Sequence, residues 1–483
     1  MHWATVQRIL GLLLMLFSIS MVPPLLIALL YGDAGLVPFA ASFVAIVAAG
    51  ALLWLPVRGD RHELRTRDGF LIVVLFWTVL GLAGAVPLFL SDEPRISFTD
   101  AAFESLSGLT TTGATVLTGI EHLPESIRFY RQQLQWLGGM GIIVLAVAIL
   151  PMLGIGGMQL YRAEMPGPVK DSKLTPRIGE TAKALWYIYL GLTLACALAY
   201  WLAGMNWFDA VGHAFSTVAI GGYSTYDASM GHFDSPLIEM ICVVFLLIAG
   251  VNFAMHFVAW RRRSLRHYLR DTEVRWFIGI MVSVGCVVTA TLMVTGHLGG
   301  WGDTLHHAIF QSVSIGATAG FTTTDFDSWP VFLPVLLIMT AFVGGCAAST
   351  AGGIKVVRFV LLIKQGYREI IRLIHPQAQV LVKIGNRAVD ERVIDAVWGF
   401  FAAYIALFAI MMLVLMGTGL DQVTAFSAVA ATITNLGPGL GAVAENYGGI
   451  SPVAKWVLMF AMLLGRLEVF TLLVLFTPAF WRR

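Results

Sequence analysis

The chain has 483 residues, of which 58% are hydrophobic and 12% charged, with a formal net charge of +2. A soluble domain carries about 25% charged residues, so an ordinary soluble globular protein is excluded. The nearly neutral balance points to no charged partner such as nucleic acid. The mean hydropathy is +0.79, and apolar stretches near the length of a bilayer crossing recur throughout. An all-α polytopic membrane protein is therefore expected.

The first elements are two spans, at about residues 10–30 and 37–56. The first is longer than the core of a signal peptide, and no small-residue cleavage pattern follows it. It reads as a retained helix, so residues 1–66 form a two-helix N-terminal unit. A basic cluster follows from Arg58 to Arg67, and others lie at Arg162–Arg177, Arg261–Arg275 and Lys355–Arg392. The loops between hold few basic residues, beside acids such as Asp92, Glu93, Glu121 and Glu125. The positive-inside rule puts the basic clusters in the cytoplasm. Both termini go with them, the C-terminal one marked by Trp481-Arg482-Arg483.

Each stretch between basic clusters must leave the cytoplasm and return. Each nevertheless holds two long apolar spans flanking a shorter, more polar segment. A third full crossing breaks the parity, so the middle segments are predicted to be re-entrant. The chain then divides into repeats at 67–160, 161–270, 271–375 and 376–483, with pore loops at 98–116, 207–226, 303–323 and 421–441.

The middle segments resemble one another: FTDAAFESLSGLTTTGAT, FDAVGHAFSTVAIGGYST, HHAIFQSVSIGATAGFTT and TAFSAVAATITNLGPGLG. Each starts near an acid (Asp100, Asp209, Asp303, Asp421), runs through about three helical turns, and breaks at a glycine. Aligned there, the motifs place Thr111-Thr112-Gly113 beside Ile220-Gly221-Gly222, Thr318-Ala319-Gly320 and Asn435-Leu436-Gly437. The glycines step by 109, 98 and 117 residues, the spacing of a four-fold repeat. Gly439 is an alternative to Gly437 in the fourth motif.

Non-helical backbone at membrane depth survives only where protein buries it or water lines it. Four such segments around an axis present rings of carbonyl oxygens able to replace the hydration shell of potassium. The short helices before them turn their negative C-terminal ends toward the centre, which favours a cation. The competing account makes each glycine a helix-packing site, but it leaves the regular spacing unexplained.

Two features lie beneath this expected filter. Gly344-Gly345 and Gly352-Gly353 bracket a run of small residues ending near Lys355. That run is either a close helix–helix contact or a helix interrupted at the midplane to gate an ion path. Arg466 falls in the middle of the last apolar span, where a charge suggests function or a salt bridge to another span. Glu468 is two positions away, faces elsewhere on a helix, and is a poor partner for it. Farther along the cytoplasmic side, Arg358–Arg392 is basic and amphipathic, either an interfacial helix or a docking surface.

The remaining chemistry-bearing residues are few. Cys196, Cys242, Cys286 and Cys346 all fall in apolar or small-residue segments and read as packing residues. His306-His307, at the start of the third middle segment, reads as a capping or interfacial pair. No nucleophile or His/Asp/Glu constellation suggests an enzyme. Leu137-Gly138-Gly139-Met140-Gly141 lies in a membrane span rather than after a strand, so it is not a nucleotide motif.

The segments GFLIVVLFWTVLG, FYRQQLQWLGGMGIIVLAVAILP, GGMQLYRAEMPGP, TNLGPGLG and LGRLEVFTLLVLFTP are similar to those of the Trk/Ktr/HKT superfamily, in particular the membrane subunits of bacterial Trk potassium uptake systems. The resemblance covers the full length. It implies four pseudo-symmetric helix–pore loop–helix repeats around one pore in the bacterial inner membrane, with a homodimer of such chains. It also implies that Gly113, Gly222, Gly320 and Gly437 favour potassium, that an intramembrane loop gates the pore, and that Arg466 projects beneath the filter as a barrier. A TrkA-like cytoplasmic subunit that binds NAD(H) or ATP/ADP is implied as regulator. The resemblance further implies no cofactor in this chain and the potassium ion as its substrate. The alternative is a symporter coupling potassium to protons or sodium, for which Glu104 and Glu468 are the candidate acids.

Overall fold

Why each short helix starts and stops where it does is visible in its flanking residues. The computed structural model describes residues 1–60, 62, 65–144, 178–330, 332–385 and 387–482. The basic cluster Arg162–Arg177 and the boundary at 160/161 lie outside the described residues. Four short helices, Phe98–Leu109, Trp207–Ala219, Trp301–Gly316 and Gln422–Ile433, form the inner layer and are buried along most of their lengths.

Ser97, Asn206 and Asp421 cap three of them through their side-chain oxygens. This satisfies backbone N–H groups that have no partner inside the helix. The acids expected at the starts take two positions. Asp100, Asp209 and Asp303 sit in the first turn, where a negative charge complements the helix dipole, whereas Asp421 is itself the cap. That difference, with the greater length of the third helix, explains why the acid precedes the glycine by 13 residues in the first two segments but by 17 and 16 in the last two.

Around this layer stand long apolar helices. The two N-terminal ones, Trp3–Tyr31 and Leu36–Val57, are followed by Arg67–Leu90, Ala182–Leu202, Thr272–Thr295 and Glu391–Gly417, each long enough to cross a bilayer. Leu194, Leu198, Val282 and Leu413 on their outer faces are exposed, as expected where lipid rather than water is the neighbour. The interior divides into two main clusters. One joins the N-terminal helices to the first and last middle segments, and the other joins the second and third.

The helices that follow the short segments are broken in several places. Phe332–Val343 stops at Gly344, and a helix resumes only at Val356–Ile374. Gly344, Ala348, Gly353 and Lys355 have φ of +67°, +55°, +77° and +82°, so the small-residue run is a loop and not a helix–helix contact.

Pro236–Ala249 bends by 92° into Phe253–Arg262, a break not foreseen from the sequence. Its freed backbone groups pair with the loop: Cys346 N–H donates to Gly250 O, and Phe253 N–H donates to Ala348 O. The last span was expected to run straight through Arg466. Instead Pro452–Arg466 ends there and turns by 110° into Phe470–Phe476, with Glu468 and Val469 at φ of +54° and +53°.

One departure from an all-helical chain is a small antiparallel hairpin, Lys383–Ile384 with Arg387–Ala388, in the basic segment Lys355–Arg392. Cys196, Cys242 and Cys346 are buried as expected, whereas Cys286 is exposed on its helix.

Candidate ion-conduction site

The four short helices end in the same way. Thr111, Ile220, Thr318 and Asn435 have φ of +51°, +53°, +67° and +55°, and two residues later Gly113, Gly222, Gly320 and Gly437 have φ of +82°, +82°, +79° and +103°. Between them, the N–H groups of Thr112, Gly221, Ala319 and Leu436 donate back across the helix end to Ser107, Ser216, Ser314 and Ala431, at 2.7–2.8 Å. This is a Schellman reversal repeated four times. Gly437, not Gly439, holds the glycine position of that pattern.

A left-handed conformation is unfavourable for β-branched residues, and Thr111, Ile220 and Thr318 adopt it nonetheless. Each such residue costs on the order of 1–3 kcal/mol, and such strain persists where its surroundings over-determine it.

The surroundings form a ring. A Cβ on Gly113 would lie 2.1 Å from the Gly221 carbonyl oxygen, and one on Gly222 2.0 Å from that of Ala319. One on Gly320 would lie 2.1 Å from the Leu436 oxygen, and one on Gly437 2.6 Å from that of Thr112. The first segment thus touches the second, the second the third, the third the fourth, and the fourth the first. Glycine is required twice over, by its φ and by its neighbour's carbonyl. All the residues expected to form the filter are brought together here.

The side chains hold this backbone in place. Gln135 Nε2 donates to Gly221 O at 2.6 Å, and Gln135 Oε1 accepts from Tyr223 N–H at 3.1 Å. Asn435 Nδ2 donates to Thr112 Oγ1 and to Met462 O, both at 3.0 Å. Tyr447 donates to Gly437 O at 2.7 Å. The four ring glycines line one cavity of about 540 Å³, whose wall also carries Asp227, Asp325, Asp327 and Glu445. Carboxylates around a concave mouth concentrate cations.

Beneath the ring, the small-residue loop and Arg466 reach the ends of all four short helices. Thr350 Oγ1 donates to Val218 O at 3.0 Å at the end of the second short helix. Gly352 N–H donates to Thr318 Oγ1 at 2.6 Å, and Gly353 N–H to Thr434 O at 3.0 Å, at the ends of the third and fourth. Arg466 Nη2 donates to Thr111 Oγ1 at 2.6 Å at the end of the first. Lys355 Nζ turns back to the Ala351 carbonyl and holds the loop itself.

The two acids considered for coupling are both engaged. Glu104 pairs with Arg131 at 2.7 Å, with both side chains nearly inaccessible, and also accepts from Thr115 Oγ1 and Val116 N–H. Glu468 pairs with Arg358 at 2.7 Å and not with Arg466.

Sequence reasoning missed the vestibule carboxylates, Gln135, Tyr447 and the partner of Glu468. One signal was available: the polar run Gln132-Gln133-Leu134-Gln135 sits inside a buried helix, where polar groups need partners. Nothing local marks Tyr447, which acts on Gly437 through the fold.

The comparisons agree with this architecture. Residues 36–483 match the TrkH family model, described as "Cation transport protein". The Trk system potassium uptake protein TrkH of Halomonas elongata is 60% identical over 481 residues, covering 99% of each chain. The protein of that name from Escherichia coli is 58% identical over 482 residues, covering 100% of each. The crystal structure of the potassium transporter TrkH from Vibrio parahaemolyticus superposes with a TM-score of 0.93, at 57% identity and full coverage of both chains.

Proposed function

The chain belongs to the TrkH family of cation transport proteins, and we propose that it is the potassium-conducting pore subunit of a Trk-type uptake system. The observation that carries this reading is the closed ring of four equivalent glycine segments. A ring of backbone carbonyls at the ends of four inward helices suits a dehydrated monovalent cation and asks for no covalent chemistry. Thr111, Thr112, Gly113 and their counterparts in the other repeats are the selectivity filter. The same ring supports the four-repeat division drawn from the sequence.

Transport is channel-like. An inside-negative potential of 100 mV contributes about 2.3 kcal/mol per charge, enough for roughly 50-fold accumulation without a coupling ion. A symporter needs an acid free to exchange its proton or bind sodium along the path. The ion pairs of Glu104 and Glu468 argue against either taking that part.

The loop from Gly344 to Lys355, with Arg466, is the gate. It hands its state to the helix Val356–Ile374, whose exposed face carries Tyr367, Ile370 and Leu373. A TrkA-like nucleotide-binding subunit docks on this cytoplasmic side. The basic clusters support an orientation with both termini inside, and the family resemblance supports the inner membrane and a homodimer.

Rubidium flux into proteoliposomes under a set potential, with a pH-sensitive dye inside, tests the reading. Uptake should follow the potential and be inhibited by potassium far more than by sodium. Uptake that needs a sodium or proton gradient at fixed potential would replace the channel reading with symport.

A further inference from the structure

Away from the pore, Glu239, His306 and His307 each offer one metal-ligating atom, and these atoms lie within 4.8 Å of one another. Glu239 is in the first turn of Pro236–Ala249. The histidines are in the second turn of the third short helix, Trp301–Gly316, so the group joins two repeats. Glu239 Oε2 and His306 Nε2 are 3.0 Å apart, with the two side chains 4% and 17% exposed. Among the described residues, however, neither atom has a hydrogen-bond partner. The pair is close without sharing a proton along the line between its atoms. Leaving both buried in that state is unfavourable, and a cation held by both would satisfy them.

His307 supplies the complementary detail. Its Nδ1 is hydrogen-bonded to Thr323 Oγ1 at 2.9 Å. With that nitrogen donating, Nε2 is left with a bare lone pair, the arrangement by which an outer partner fixes a metal-binding imidazole. Asp234 acts electrostatically on both Glu239 and His307, and Asp303 on both histidines, adding negative potential around the group.

We propose that Glu239, His306 and His307 form a binding site for a transition-metal dication, with Zn²⁺ the best match. Two imidazoles and one carboxylate, with the fourth position left to water, are a known zinc donor set, whereas calcium and magnesium prefer oxygen ligands throughout. Zinc ligands about 2.0–2.2 Å from the ion stand roughly 3.3 Å from one another in a tetrahedron. The Glu239–His306 pair is already near that spacing, and the ligand atoms of all three residues lie within 4.8 Å of one another. Thr323 lies three residues beyond Gly320 and lines the vestibule. The bound metal would therefore brace the third filter segment against the second repeat.

Tag-free protein in lipid nanodiscs, stripped with a chelator, is titrated with Zn²⁺ by calorimetry and followed by thermal unfolding. One equivalent should bind and raise the unfolding temperature. Glu239→Gln and His306→Ala should each weaken binding at least ~10-fold, while His297→Ala, at an exposed loop histidine, should leave it unchanged. Co²⁺ bound to the unaltered protein should show the intense visible bands of a four-coordinate nitrogen–oxygen site, which tests the ligand set without any variant. The site is rejected if no saturable equivalent binds, if His306→Ala binds as the parent does, or if Co²⁺ shows only weak six-coordinate bands.

Discussion

Arg466 and Thr111 are 355 residues apart in the chain, and their side chains meet at 2.6 Å, guanidinium to hydroxyl, at the first segment of the proposed filter. The same guanidinium reaches the Thr350 carbonyl of the loop at 3.4 Å. One charge thus touches both the proposed filter and the proposed gate. A unit charge 4 Å from a permeating cation costs about 4 kcal/mol at an effective dielectric constant of about 20. Arg466→Ala should raise rubidium flux, by ~10-fold or more, in a protein that still inserts. Unchanged flux through the inserted variant would remove Arg466 from the barrier.

Gly113 tests the ring. A serine there puts a Cβ where the Gly221 carbonyl oxygen already stands, 2.1 Å away, and adopts φ of +82° against its preference. Gly113→Ser should lower the potassium-over-sodium preference measured by flux competition. Gly439→Ala meets the Val443 side chain instead and no filter carbonyl, so its selectivity should match the parent. Equal losses in the two variants would contradict the assignment of Gly437 as the fourth filter glycine.

The proposed gate is tested at Gly352. A Cβ there would stand 1.9 Å from the Thr434 carbonyl oxygen, so the loop of Gly352→Ala cannot dock under the fourth short helix as it does here. Flux should rise and depend less on any cytoplasmic regulator. Loss of flux with intact folding would mean that the loop supports conduction rather than blocking it.

The buried pair Glu104–Arg131 predicts an asymmetry in stability. Glu104→Gln leaves the Arg131 charge buried and uncompensated, at a cost of roughly 3–5 kcal/mol. Changing both, as Glu104→Gln with Arg131→Met, should recover much of that loss. Thermal unfolding in one detergent reads both values. A double variant less stable than Glu104→Gln would show that the pair contributes more than charge compensation.

Tyr447→Phe removes the hydroxyl that donates to Gly437 O and should cost about 1 kcal/mol in stability. The freed carbonyl is also less restrained, so potassium preference should change while insertion does not. An unaltered preference would make Tyr447 a packing residue only.

Much of this molecule is legible in the primary structure because bilayer physics acts locally. Length and hydropathy announce the spans and recurrent glycines the ring, since a left-handed residue without a Cβ leaves a mark at its own position. Asp100, Asp209, Asp303 and Asp421 announce the short helices for the same reason: a cap or first-turn charge acts on the backbone beside it.

Contacts between distant segments leave no such mark. Which carbonyl stands over which glycine, that Glu468 turns to Arg358, and that Arg466 ends its helix rather than sitting mid-span all depend on how the repeats pack around one axis. Glu239 stands far from His306 and His307 along the chain, and only the second repeat leaning on the third brings them together. The sequence by itself determined the repeated backbone devices, each written in its own few residues. The tertiary structure decided the order of the ring and the occupants of its lower face, because those are set by shape and charge between segments that share no local signal.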